Sequence, residues 1–152
     1  MMKKMQTTLL LMAWLCLFNS CKSDEVEAII EEEATIAGNY TGSWSSVNPQ
    51  STYDGLAISA RVTETSNPNI FDGEFFFTSS YVSCCNSGVN DGTLRFVVDG
   101  NNITEFIYND ILPNCNGTFT GTGTINDNGS IRIEFTGFDC EGDHTDGVLI
   151  FN

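Results

Sequence analysis

The sequence predicts an all-β fold, an eight-stranded up-and-down meander barrel, and three observations carry that prediction. From Gly38 onward apolar and polar residues alternate in short runs, turn residues recur at short and fairly regular intervals, and Gly or Pro interrupts most windows long enough to sustain a helical period. Short strands joined mainly by tight loops close naturally into a barrel, which leaves no unpaired edge to protect. A β-sandwich is the alternative, because alternation alone does not reveal which strand closes on which.

Each strand has its own signature. Tyr40, Gly42 and Trp44 share one face of the first, and Leu56, Ile58, Ala60 and Val62 share one face of the second, with Arg61 and Thr63 opposite. Phe71, Gly73, Phe75 and Phe77 mark the third. Leu94, Phe96 and Val98 mark the fourth, which Asp99-Gly100-Asn101 turns into a fifth carrying Ile103, Phe106 and Tyr108. Phe119, Gly121, Gly123 and Ile125 form the sixth, Asn128-Gly129 turns it into a seventh with Ile131, Ile133 and Phe135, and residues 148–151 make the eighth. Gly42, Gly73, Gly121 and Gly123 lie inside these strands, where glycine marks either a bend or the close approach of another backbone.

The chain ahead of this body divides in two. Residues 1–20 read as a signal peptide: Lys3 and Lys4, an apolar run over residues 9–18, then Asn19-Ser20 before Cys21. The run is shorter than the roughly 20 apolar residues a membrane span needs. Residues 21–37 read as an acidic tether, in which Glu31-Glu32-Glu33 repel one another and favour an extended spacer over a helix. Residues 38–152 form the single domain. Leu17, Ser20 and Cys21 resemble the lipobox of bacterial lipoproteins, a resemblance that implies lipidation of Cys21 with palmitate-type acyl chains. Lys22-Ser23-Asp24-Glu25 resembles the surface-export signal of some Gram-negative lipoproteins. It implies a lipid-anchored protein of the outer membrane, on the cell surface, with the periplasmic face as the alternative.

The formal charge of −14 bears on partners, and loss of Lys3 and Lys4 with the signal makes the mature chain more negative still. Displacing phosphate counterions requires basic surface, so nucleic acid is excluded as a partner. Anionic headgroups repel such a body, which leaves the lipid anchor as the membrane contact.

Gly42-Ser43-Trp44 resembles the G-x-W signature on the first strand of lipocalins, and together with Phe71-Asp72-Gly73-Glu74-Phe75 it is similar to the opening of avidin-like barrels. The resemblance implies a lipocalin-like barrel. A biotin site is not implied, since Trp44 is the one tryptophan left after signal removal and avidin-like sites are walled by several.

Cys84, Cys85, Cys115 and Cys140 lie in the body, and an oxidising envelope makes disulfides their default state. Bonding the neighbours Cys84 and Cys85 to each other strains the ring, so each is expected to take one of Cys115 and Cys140, stapling loops at one end. No C-x-x-C pair supports a metal site. Residues 139–146 form an acidic stretch that reads as a solvated loop without the positional pattern of a calcium loop. His144, the sole histidine, falls in this stretch with no nucleophile motif beside it, so no catalytic residue, metal or cofactor is expected.

Two non-catalytic functions remain. In the first, Tyr40, Trp44, Phe75 and Phe77 face a barrel mouth and hold a small apolar or amphipathic ligand. In the second, the aromatics fill a solid interior, and loops around residues 48–51 and 79–90 contact a protein or glycan.

Overall fold

The computed structural model describes residues 35–78, 90–111 and 113–152. Its strands in chain order are β1 (Gly38–Val47), β2 (Thr52–Glu64), β3 (Ile70–Phe76), β4 (Gly92–Asp99), β5 (Asn102–Asp110), β6 (Gly117–Ile125), β7 (Ile131–Asp139) and β8 (Gly142–Phe151). Each pairs antiparallel with the next, and β8 returns to β1 in a register running from Gly42↔Phe151 to Val47↔Thr145. The sheet is therefore a closed up-and-down barrel, and closure rules out the sandwich. The signal peptide, Cys21, most of the tether, and Cys84 with Cys85 lie outside the described residues.

Strand reversal sorts the connections to two ends. One end, which we call closed, gathers the β2–β3, β4–β5 and β6–β7 turns with residues 35–37 and the C-terminal Asn152. The other, the mouth, gathers the β1–β2 and β7–β8 turns with the ends of β3 and β5 and the starts of β4 and β6. Alternation sends the apolar set inward: Ile58, Phe75, Phe96, Phe106, Ile131 and Phe151 are all 0% exposed. Ile36 is buried against this core, and the Tyr40 hydroxyl donates to its carbonyl at 2.8 Å. Packing thus begins two residues before the Gly38 boundary read from the sequence.

Gly42 decides between the two readings of an in-strand glycine. A Cβ there would stand 1.8 Å from the Ile150 carbonyl oxygen, so the residue is a close-approach site where β8 crosses β1. The outer wall carries Arg61, Asp72, Glu74, Arg95, Arg132 and Glu134 along the strands, where a membrane-spanning barrel presents apolar side chains to lipid.

Two bulges set what faces the mouth. Between Trp44↔Leu56 and Ser46↔Tyr53, β2 spends one residue more than β1, beside Gly55 at φ +67°. Between Ser45↔Val148 and Val47↔Thr145, β8 does the same, beside Asp146 at φ 51°. An extra residue reverses the in–out phase of a strand. Both strands flanking β1 are reversed at about the same level, which brings Tyr53 and His144 inward above the apolar core.

Candidate functional site

The mouth is built on the upper part of β1. Trp44, 2% exposed, packs edge-on against Phe119 with centroids 5.0 Å apart, and its ring centre lies 4.1 Å from that of Phe135. Phe75 and Tyr108 complete the ring around it, with centroid separations of 6.1 and 5.7 Å. This layer is solid and forms the floor of the site.

Above the floor the inward residues become polar. The indole Nε1–H donates to Ser46 Oγ at 3.0 Å, and Ser46 Oγ lies 3.0 Å from His144 Nδ1. On the other side of the ring, His144 Nε2 lies 3.2 Å from Asp139 Oδ2. The Asn48 amide nitrogen also lies 3.3 Å from Nε2, so both ring nitrogens sit within hydrogen-bonding distance of polar side chains. His144 is 3% exposed and stacks parallel to Tyr53, with centroids 6.0 Å apart. It is a buried, fully engaged residue rather than the solvated loop residue the sequence suggested. The reason is that residues 142–146 continue β8 instead of forming a loop, and the bulge turns the imidazole inward.

Glu141 ties the rim together. It accepts from the Tyr53 hydroxyl and, at 2.8 Å, from Asn48 Nδ2. Asn48 Oδ1 in turn accepts the backbone N–H groups of Gln50 and Ser51 at 2.9 and 2.7 Å, which shapes the β1–β2 turn. The Tyr53 hydroxyl, then the Asn48 amide, hold the Glu141 carboxyl below its usual range. Reciprocally, Glu141 raises the Tyr53 phenol. Burial first, then the fields of Asp110, Asp91 and Asp139, push the Tyr108 phenol far up and keep it neutral.

Cys115 is bonded to Cys140, with Cα atoms 4.7 Å apart. This corrects the expectation that each would pair with one of Cys84 and Cys85. Since β6 pairs with β7, the β5–β6 connection lands beside the β7–β8 turn and puts the two thiols within reach of each other. The same bond accounts for the grouping of Cys115, Asp139 and Cys140, the one cluster of three ligand-type side chains among the described residues. With both sulfurs spent, a single carboxylate is left to it.

Between the rim and the floor lies a cavity of about 210 Å³. Trp44, Tyr53, Leu56, Phe77 and Phe119 form its walls, and Asp110, Asp139, Glu141 and His144 supply its polar groups. Leu56 and Phe77, 38% and 37% exposed, stand at its opening. A larger depression of about 820 Å³ crosses the wall over β5–β8 and shares no lining residue with this cavity.

Of the four residues expected to hold a ligand, the structure brings Trp44 and Phe77 to this cavity. Phe75 lies beneath it in the floor, and Tyr40 sits toward the closed end against Phe151 and Ile36. Tyr53, Asp110, Asp139, Glu141 and His144 were not singled out as ligand residues from the sequence. Ser46, His144 and Asp139 have the connectivity of a nucleophile relay, but Ser46 Oγ is 1% exposed, is held between indole and imidazole, and does not line the cavity. Compared with protein-family models, curated proteins and solved structures, the chain matches none.

Proposed function

We propose that this chain is an exported, lipid-anchored binding barrel of lipocalin-like design that holds a small apolar or amphipathic molecule at its mouth and does no chemistry on it. The observation that carries the reading is the cavity of about 210 Å³, with aromatic walls and a few converging polar groups above a solid floor. That combination is what small-molecule sites share, and the volume, below the roughly 300–1,000 Å³ of pockets for drug-sized ligands, calls for a small occupant. Acylation at Cys21 would hold the barrel at the outer membrane, on the cell surface.

Native mass spectrometry on the chain purified from its own host tests the binding reading. A non-covalent adduct is expected, and it should vanish in Leu56→Trp, which fills the cavity from its rim. Bare mass in the unsubstituted protein would overturn the reading. It would favour the surface interaction module, which the solid packing around Trp44 supports. Cys21→Ser tests the anchor separately: the protein should leave the membrane fraction and lose incorporated palmitate.

A further inference from the structure

We infer that the mouth cavity selects a small organic cation, an ammonium on a compact apolar body. This rests on the small-ligand reading above and names the ligand's charge.

The argument begins with the distribution of charge. Among the described residues the arginines lie on the outer wall, each beside a carboxylate: Arg61 is 3.9 Å from Glu74, Arg95 grips Asp72 with two bonds of 2.8 and 3.0 Å, and Arg132 is 3.4 Å from Glu134. The cavity is different. Asp110, Asp139 and Glu141 line it, and His144 is the one described basic group beside them, its Nε2 lying 3.2 Å from Asp139. Low-dielectric walls concentrate such a field instead of letting solvent disperse it. Burial first, and then the fields of Asp110, Asp91 and Asp139, raise the nearby Tyr108 phenol.

The walls supply what a cation needs after losing its water. The rings of Trp44, Tyr53, Phe77 and Phe119 surround the space, and an aromatic face attracts an ammonium through its quadrupole. An anion of the same shape meets three carboxylates, and a neutral analogue gains nothing from either feature. The space equals about seven waters at liquid density, enough for one small ring with a short amine arm.

Isothermal titration of the full chain with benzylammonium, benzyl alcohol and benzoate, three probes of nearly one shape, tests the inference. Benzylammonium should bind about tenfold or more tighter than benzyl alcohol, benzoate should bind weakest, and the preference should shrink as ionic strength rises. Asp110→Asn and Glu141→Gln, each checked for folding by thermal melting, should narrow the gap between the first two probes. Equal binding of the cation and the alcohol in the unsubstituted protein would overturn the charge selectivity while the small-ligand reading stands. Failure of all three probes to bind, with no host adduct by native mass spectrometry, would overturn both. The ionic-strength series needs no variant, so the inference stays falsifiable if the substituted proteins fail to fold.

Discussion

The closed end and the mouth are built from the same eight strands, yet their inward positions carry opposite chemistry. At the closed end Phe96, Phe106, Ile131 and Phe151 meet with nothing to hydrogen-bond. At the mouth Ser46, Asn48, Asp139 and His144 meet through polar contacts, with the imidazole also packed against the Tyr53 and Phe119 rings. Apolar burial contributes stability without needing exact partners, whereas each buried polar group is costly unless its partner is in position. The difference teaches that this barrel separates its duties: one end holds the fold together, and the other is a constrained network around a small space.

The largest effects should follow from breaking the closed end. Phe106→Ala removes a ring that is 0% exposed and packs against Phe96 with centroids 5.5 Å apart. We expect a loss of about 3–5 kcal/mol in urea unfolding, the usual cost of truncating a buried Phe. Ligand retention at saturating concentration should persist in whatever fraction remains folded. A loss under about 1 kcal/mol would mean that the closed end is not where stability resides.

Next comes the staple at the mouth. Cys115 and Cys140 are 25 residues apart, and the chain-entropy model gives such a closure about 3–4 kcal/mol through the unfolded state. Cys115→Ser with Cys140→Ser should lower unfolding free energy by about that amount. Thiol counting before and after denaturation would show whether another cysteine had taken over the role. No loss of stability in an oxidised sample would show that the bond does not constrain the unfolded chain.

His144→Leu sharpens the comparison by giving the mouth a residue suited to the closed end. It deprives the buried Ser46 hydroxyl and the Asp139 carboxylate of a partner, at a cost of about 1–3 kcal/mol. A double-mutant cycle with Ser46→Ala should recover part of that loss as a coupling of about 0.5–3 kcal/mol, because the two substitutions remove one shared contact. Strict additivity would mean that the Ser46–His144 contact contributes nothing.

The two ends also differ in how far they could be read from the sequence. At the closed end β5 changes parity between Ile103 and Phe106, but both residues are plainly apolar, whereas the residues shifted at the mouth are polar. Where strands run unbroken, as with Leu94, Phe96 and Val98 or Ile131, Ile133 and Phe135, alternation identifies buried residues directly. At the mouth the parity changes inside a strand. Counting back from Phe151, Leu149 and Gly147 assigns position 145 to the interior, yet His144 occupies it. The acidic run beside it then looked like solvent-facing loop. A signal was present: Asp54-Gly55 and Asp146-Gly147 are turn-type pairs inside otherwise strand-like stretches, and each sits at a bulge. The disulfide partner was hidden for another reason. Loop adjacency follows from the β6–β7 hairpin at Asn128-Gly129, but every second connection of a meander shares one end, so the topology alone did not choose among the cysteine partners.

The smallest effect distinguishes the ends by acid. At the mouth, the Tyr53 hydroxyl and then the Asn48 amide lower the Glu141 carboxyl from its usual 4.5. A folded-state value below the unfolded one contributes stability above pH 4.5, which is lost as pH falls through the folded value. Tyr53 acts on the opposite limb. Its phenol is raised above 10.0, chiefly by the bond to Glu141, so its contribution is present below that pH and lost as pH rises through the folded value. Tyr53→Phe removes the shared contact and should flatten both limbs. Carbon-detected NMR should find the Glu141 carboxyl titrating below 4.5 in the unsubstituted protein and closer to it in Tyr53→Phe. Glu141 is too exposed for the stability change to be large, so the shift in its titration is the sensitive readout. An unmoved Glu141 would mean that the rim is held by the Asn48 turn alone, with Tyr53 serving only as a wall of the cavity.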